Sequence, residues 1–301
     1  MGSRDPEAHA ELLDFGRGAE GRTAVFRLRQ TPVTRTDVLL LGGTSPIGRR
    51  VAHVLDSHRT AFVSTSRSGT GRRLDLLDTV GTRETLLDVR PRCIISLANP
   101  VNTAGAADLP AIDAWEAFVR NAAAAGCERI VFASSSAVYG DAGTRPFAEW
   151  APRHGTTDYA RLKIRMEDVL TEASAQGSLS GISLRLFNVY GVGLDKSLIN
   201  RLAYGDTSVR LRLGAPFVRD YIHVDDVANA IHASISAADL QSGGVVNVGT
   251  GIGTSNADLH RGARPGSYET YLSDEPSFSV ADTGRMREVL QIFPRPLAEN
   301  P

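Results

Sequence analysis

Short apolar runs that alternate with stretches of helical periodicity restrict this chain more than any other feature. VLLL (38–41), TAFVSTS (60–66), CIISLA (93–98), RIVFASS (129–135) and ISLRLF (182–187) are too short to be helices. Most are also too continuously apolar to be strands with one wet face. Between them lie helical patterns. PIGRRVAHVLDSH places Ile47, Val51, Val54 and Leu55 on one face, and further helices are expected over 79–88 and 110–125. In YARLKIRMEDVL (159–170), Leu162, Met166, Val169 and Leu170 share a face. Buried strands alternating with helices form a parallel sheet covered on both sides. The expectation is therefore an α/β chain built on a doubly wound parallel sheet. No repeat of 20–50 residues and no low-complexity tract interrupts the pattern.

After Phe187 the alternation loosens. Residues 188–216 are rich in Gly, Asp and Arg. YIHV, a helix over about 225–236 and VVNV follow, and the tail from 249 to 301 is rich in Gly, Ser and Pro, with a late helix near 282–290. The reading is a dinucleotide-binding domain over 37–187, to which 217–248 contributes, beside a smaller C-terminal substrate lobe made of 188–216 and 249–301. Residues 1–36 are read as an N-terminal extension with one strand over 23–28. A 301-residue chain that is 42% hydrophobic suffices for such a core.

Charge removes two classes of function. The net charge is −1 and the pI about 6.7, so neither nucleic acid nor an anionic membrane is an expected partner. The start MGSRDPEAHAE is polar and partly acidic, unlike a secretory signal. Cys93 and Cys127 make no disulfide framework and are expected as buried thiols in the cytoplasm. No Cys/His spacing suits zinc, so no metal is expected.

The first run passes straight into GGTSPIG (42–48). Glycines there permit a tight turn and close helix packing, and the following helix aims free N–H groups at a pyrophosphate. Gly42 and Gly48 keep the outer positions of a G-x-x-G-x-x-G pattern, and Ser45 stands at the middle one. The second strand ends in Ser66 and Arg67, with no carboxylate for the adenosine ribose. A hydroxyl and a guanidinium suit a 2′-phosphate, which favours NADP, with NAD as the alternative. Asp75 and Leu76 either meet the adenine edge or are a solvated acid beside a core residue.

At the other end of the sheet, RIVFASS delivers SSSAVYG (134–140), and Tyr159 and Lys163 follow on a helix, one turn apart. The set GGTSPIG, SSSAVYG, YARLK, LRLFNVYG, RDYIHVDDV and VVNVGTG, in this order and spacing, resembles the extended short-chain dehydrogenase/reductase family. Within it, the set looks most like the NAD(P)-dependent nucleotide-sugar epimerases, dehydratases and ketoreductases. The resemblance covers about residues 37–290. It implies a Rossmann fold, a cytoplasmic enzyme, a nucleoside-diphosphate sugar as substrate and a homodimer formed through the Tyr-bearing helix. It makes Tyr159 the general acid/base and Lys163 its tuner and ribose anchor. A Ser four residues before the Tyr of V-Y-G is expected to bond the reacting oxygen; this is Ser135, with Ser136 one residue off register and placed at the substrate. A phenol with an ordinary pKa of about 10 must fall by about 3 units to act near neutrality, roughly 4 kcal/mol of differential stabilisation. For the cofactor the resemblance implicates Gly42, Thr44, Ser45, Pro46, Ile47 and Gly48, then Ser66, Arg67, Asp75 and Leu76. It adds Leu97 and Ala98 of SLANP (96–100), together with Tyr159 and Lys163.

For the substrate the resemblance implicates Asn188 and Arg219, both toward the diphosphate. One of Asp225 and Asp226 is expected to cap a helix. Dehydratases of this kind carry an Asp-Glu pair just after the Ser; here Ser136 and Ala137 stand there, which speaks against 4,6-dehydration. Epimerisation and carbonyl reduction remain, the latter favoured by an NADP site. SLANP departs from the H-L-A-A usual in relatives. The rival from another class is a catalytically silent, NADP-sensing binding protein on the same fold, against which the intact Ser135, Tyr159 and Lys163 argue.

Overall fold

The apolar runs become neighbouring strands: β1 (Val38–Leu41), β2 (Phe62–Ser66), β4 (Cys93–Ser96), β5 (Arg129–Ser135) and β6 (Ser180–Leu186). A two-residue strand, β3 (Arg72–Arg73), extends one edge, and β10 (Gly244–Val248) forms the other. The order is β10-β6-β5-β4-β1-β2-β3, and every pairing is parallel. The computed structural model describes residues 35–67, 71–98, 109–141, 143–263 and 268–297. The strand expected over 23–28, nearly all of the extension, and Asn99 and Pro100 of SLANP lie outside the described residues.

Strand alternation builds two core layers. Val38 and Leu40 point to one face, Leu39 and Leu41 to the other, and all four are buried. The first face is covered by α1 (Pro46–Ser57), α6 (Val224–Ala233) and α8 (Gly284–Leu290) through Val51, Leu55, Val227, Ile231 and Met286. The second is covered by α2 (Thr79–Val89), α3 (Leu109–Ala124) and α4 (Asp158–Ala175) through Leu86, Trp115, Phe118, Leu162 and Met166. Trp115 Nε1 donates to the Met166 carbonyl at 3.2 Å and so ties α3 to α4. This double cover is why the strands read as continuous apolar runs.

Beyond β6 the chain builds smaller sheets. β7 (Asn188–Tyr190), β9 (Phe217–His223), β11 (Gly253–Ser255) and β13 (Ser277–Ser279) form one, and β8 (Arg210–Gly214) pairs with β12 (Glu269–Ser273) in another. The helices α5 (Leu198–Ala203) and α7 (Asn256–Gly262) flank them. Of segment 217–248, β10 therefore joins the large sheet and β9 the small one. Neither Asp225 nor Asp226 caps α6: the cap is His223, whose Nδ1 accepts the Asp225 N–H at 3.3 Å. Both aspartates sit in the first turn, where the helix dipole favours them. Among the described residues no helix is long and apolar enough to cross a membrane.

His58, just past α1, stacks on His232 of α6 at 4.1 Å between ring centroids. Burial first, and the His58 ring second, push the His232 imidazole below its ordinary value of 6.5. The folded state thus disfavours the proton that the unfolded chain accepts, so this contribution is complete above about pH 6.5 and is lost as the pH falls below it. The melting temperature should decline from about pH 7.5 to about pH 5.5, and His232→Gln should flatten that decline. An unchanged slope in thermal scans of the variant would remove the assignment.

Candidate active site

In a parallel sheet all carboxyl ends lie on one edge, and here the order reverses between β1 and β4. Ligands of such folds bind in the crevice outside that point. At the end of β1, Gly42 adopts φ +82°, and a Cβ on it would press on the backbone of Leu97 and Ala98 at 3.4 Å. A Cβ on Gly48 would lie 2.2 Å from the Gly42 carbonyl oxygen, so α1 packs on the turn only because that side chain is missing. Ser45 is the N-cap of α1: its Oγ accepts from Gly48 N at 3.0 Å and donates to Gly42 O at 2.7 Å. Pro46 opens the helix without an N–H, and the amide of Ile47 is left without a partner inside it. The turn therefore fits a pyrophosphate: its glycines put no side chain between the backbone and a phosphate, and the helix end presents an amide. Thr44 is exposed on its rim.

The remaining cofactor candidates lie along the same edge. Ser66 is buried at the end of β2, Arg67 is exposed beside it, Leu76 is buried and Asp75 half-buried. Asp75 also accepts the Leu77 N–H at 3.1 Å, a local turn bond. Leu97 and Ala98 follow β4 and are half-buried.

Helix α4 crosses the end of β5 and meets it with three successive turns. Tyr159, in the first, is 45% exposed. Burial of its phenol raises the pKa above the ordinary value, and the Ser135 hydroxyl that it meets opposes the rise. The Ser135 oxygen also accepts the Ala137 N–H at 3.2 Å, at the start of the short 3-10 turn Ser136–Tyr139. One turn on, Lys163 is 3% exposed, and its Nζ donates to the Ala133 carbonyl at 2.5 Å. The ammonium lies 4.3 Å from the centre of the Phe132 ring and 5.7 Å from that of Tyr159. Burial pulls its pKa down to about 7, and Glu167 opposes that fall. Ser135, Tyr159 and Lys163 are thus brought together, while the protein by itself holds the phenol neutral rather than acidified.

Sequence reasoning missed what lies behind them. Glu167, the third turn, is 1% exposed. It accepts from Ser134 Oγ at 2.5 Å and from Arg185 Nε and Nη2 at 3.0 and 2.7 Å. Arg185, buried in β6, also donates to Tyr139 Oη at 2.8 Å, and Tyr139 donates to Asn247 of β10 at 2.7 Å. One signal was available. The chain has 33 basic residues, of which only Lys163 and Lys196 are lysines. Lys196 is exposed, so the chain's one buried lysine is Lys163. A guanidinium is always charged, whereas a buried ammonium titrates.

The substrate candidates are held in the smaller sheets. Asn188 donates to the Asp220 carbonyl at 3.1 Å and joins β7 to β9. Arg219 lies over the Phe217 ring at 3.9 Å and donates to Asp141 at 2.9 Å and Ser277 at 2.8 Å. Its partner is Asp141, not the adjacent Asp220, which is buried and bound to Thr250 and Gly251. Ser136 is half-buried beside Ser135. A cavity of about 540 Å³ lies elsewhere, at the amino edge of the sheet between Asp37, Arg92, Cys93, Arg129 and Ser180.

Known proteins resemble this chain in sequence and in fold. Residues 38–249 match the model of the NAD dependent epimerase/dehydratase family. A UDP-glucose 4-epimerase of Azospirillum brasilense is 26% identical over 86% of this chain and 87% of its own length. Another, from Lacticaseibacillus casei, is 28% identical over 55% of this chain, and the match spans only 58% of that relative. Among solved structures, MoeE5 in complex with UDP-glucuronic acid and NAD superposes with a TM-score of 0.73 at 26% identity, over 88% of this chain and 95% of that one.

Gly48→Ala should destabilise the protein by about 2 kcal/mol through overpacking, and should weaken dinucleotide binding more than tenfold as the turn shifts. Denaturant titration and calorimetric binding of NAD and NADP measure the two effects; a variant that binds both normally would show that the turn is structural only.

Proposed function

Since the chain belongs to the NAD dependent epimerase/dehydratase family, we propose that it is a nucleotide-sugar epimerase that works by reversible hydride transfer, with a UDP-hexose as the first substrate to try. The relatives that act on UDP-glucose support the nucleotide and the sugar. The observation that carries the reading is the grouping of Ser135, Tyr159 and a buried Lys163 on the same sheet edge as the Gly42–Gly48 turn.

A bound dinucleotide supplies the hydride acceptor. The chain's own residues do the rest. The Gly42–Gly48 turn and the Ile47 amide would hold its pyrophosphate. Once its own proton has passed to solvent, the Tyr159 oxygen would take the proton of the sugar hydroxyl as the hydrogen on the same carbon passes to that acceptor; a C–H and an O–H bond break, and a C=O bond forms. Return of the hydride to the other face of the carbonyl carbon, and of the proton from Tyr159 to its oxygen, would give the epimer. Because Tyr159 rests protonated, the forward step needs positive charge near its oxygen, and the Lys163 ammonium is the chain's contribution. Ser135 accepts from Ala137, and its hydroxyl hydrogen, which meets the Tyr159 oxygen here, would turn to the sugar oxygen. Ser136 sits beside that oxygen. Asn188 and Arg219 face the diphosphate, for which Arg219 exchanges its exposed partner Asp141. No carboxylate stands at Ser136 or Ala137 to eliminate water.

One observation favours a second reading. Ser66 and Arg67 close β2 without a carboxylate, which supports NADP and with it a ketoreductase that consumes NADPH. The two separate in one assay. Interconversion of UDP-glucose and UDP-galactose with catalytic NAD supports the epimerase, and NADPH loss at 340 nm with keto-sugar nucleotides supports the reductase. Tight dinucleotide binding with neither reaction would leave the silent sensor.

Tyr159→Phe should cut kcat by about 10²–10⁴-fold while cofactor affinity holds. Arg219→Ala should raise KM about tenfold or more with kcat little changed, since a charged bond to the diphosphate acts equally on ground and transition states. Retained turnover in the first variant, or an unchanged KM in the second, would defeat the corresponding role.

A further inference from the structure

The three contacts of α4 with the end of β5 are not of one kind. Tyr159 meets Ser135, Lys163 donates to the Ala133 carbonyl, and Glu167 accepts from the Ser134 hydroxyl. Three consecutive residues of the strand are held by three successive turns of the helix. The third turn holds a carboxylate that a surface helix would leave in water. Instead it is buried and gripped by two nitrogens of Arg185, itself 3% exposed. Losing one partner of such a pair is strongly destabilising, whereas an apolar replacement of both is often neutral. Packing alone therefore gives no reason for ions here.

The neighbours of Lys163 supply one. From its own helix it faces Tyr159 and Glu167. From β5 it faces the Ala133 carbonyl and the Phe132 ring. Arg185 on β6 and Arg153, which also pairs with Asp168, stand on the Glu167 carboxylate; Tyr139 and the Glu149 carbonyl lie beyond Arg185. Among the described residues, Glu167 is the one carboxylate that acts on the ammonium. We propose, resting on the reading of Tyr159 and Lys163 as the proton-transfer pair, that Glu167 is a positioning residue: anchored by Arg185 and Ser134, it registers α4 on β5 and keeps the buried Lys163 ammonium charged beside Tyr159.

Because the chain holds only two lysines, the idea can be tested without turnover. In protein labelled with ¹⁵N-lysine and loaded with NAD, two side-chain signals are followed against pH, with exposed Lys196 as the internal reference. The double variant Glu167→Gln/Arg185→Met removes both buried charges together. Its Lys163 midpoint should fall by about one pH unit or more, and the alkaline limb of any kcat profile should move with it. Glu167→Asp keeps the charge and should restore most of the midpoint. An unmoved Lys163 midpoint in a folded double variant overturns the proposal. If that variant does not fold, the isosteric Glu167→Gln decides: a lower Lys163 midpoint supports the proposal, and a midpoint equal to wild type overturns it. A wild-type protein with no turnover on any nucleotide sugar would sink the proposed function, yet the Lys163 midpoints would still answer this question.

Discussion

Parallel pairing is the constraint on which everything else rests. Two parallel strands cannot be joined by a hairpin, so successive strands of the large sheet are joined by connections that return to the amino edge. All carboxyl ends then fall on one edge. The Gly42–Gly48 turn, the Ser66–Arg67 corner, the Leu97–Ala98 segment and the Ser134–Ser136 cluster are far apart in sequence, yet each follows a strand of that edge. The edge is also where helix N-termini and open backbone groups gather, which suits it to a phosphate-bearing cofactor.

On this edge the protein accepts a cost in electrostatics. Lys163, Glu167 and Arg185 are all at least 97% buried, in a layer otherwise made of Leu162, Met166, Leu170 and Phe132. Desolvation opposes each charge. It is offset for Glu167 and Arg185 by their paired geometry, and only in part for Lys163. A lysine placed so that its charge is near balance responds to small changes nearby. In a chain that otherwise uses arginine almost throughout, that responsiveness is the physical reason for a lysine at this position.

The smaller sheets meet the same edge through Arg219. Strand β9 carries it, Phe217 supports it from below, and Asp141, two residues past the 3-10 turn that follows β5, pairs with it. Phe278 of β13 donates its N–H to the Asp141 carbonyl at 3.1 Å. The loop after β5 thus connects the large sheet to the segments proposed to hold the sugar nucleotide, and Asp220, wholly buried, fixes the turn at Thr250 and Gly251.

Periodicity alone gave the alternating architecture, because strands covered on both faces must be apolar at every position and helices must show a stripe. The glycine turn was legible for a related reason: the Cβ of any other residue at position 48 would meet the Gly42 carbonyl. Tyr159 and Lys163 were legible as a pair because a helix fixes the distance between residues four apart. One turn later the same rule makes Lys163 and Glu167 neighbours on the helix, and only the packing of α4 on β5 and β6 turns both inward. His223 as the cap of α6, Asp141 as the partner of Arg219, and Tyr139 and Asn247 as links to Arg185 depend on contacts between residues from 2 to 108 positions apart. Local pattern specifies which face of an element is buried. Which polar groups meet across that face, and so which charges survive there, is decided when the elements pack.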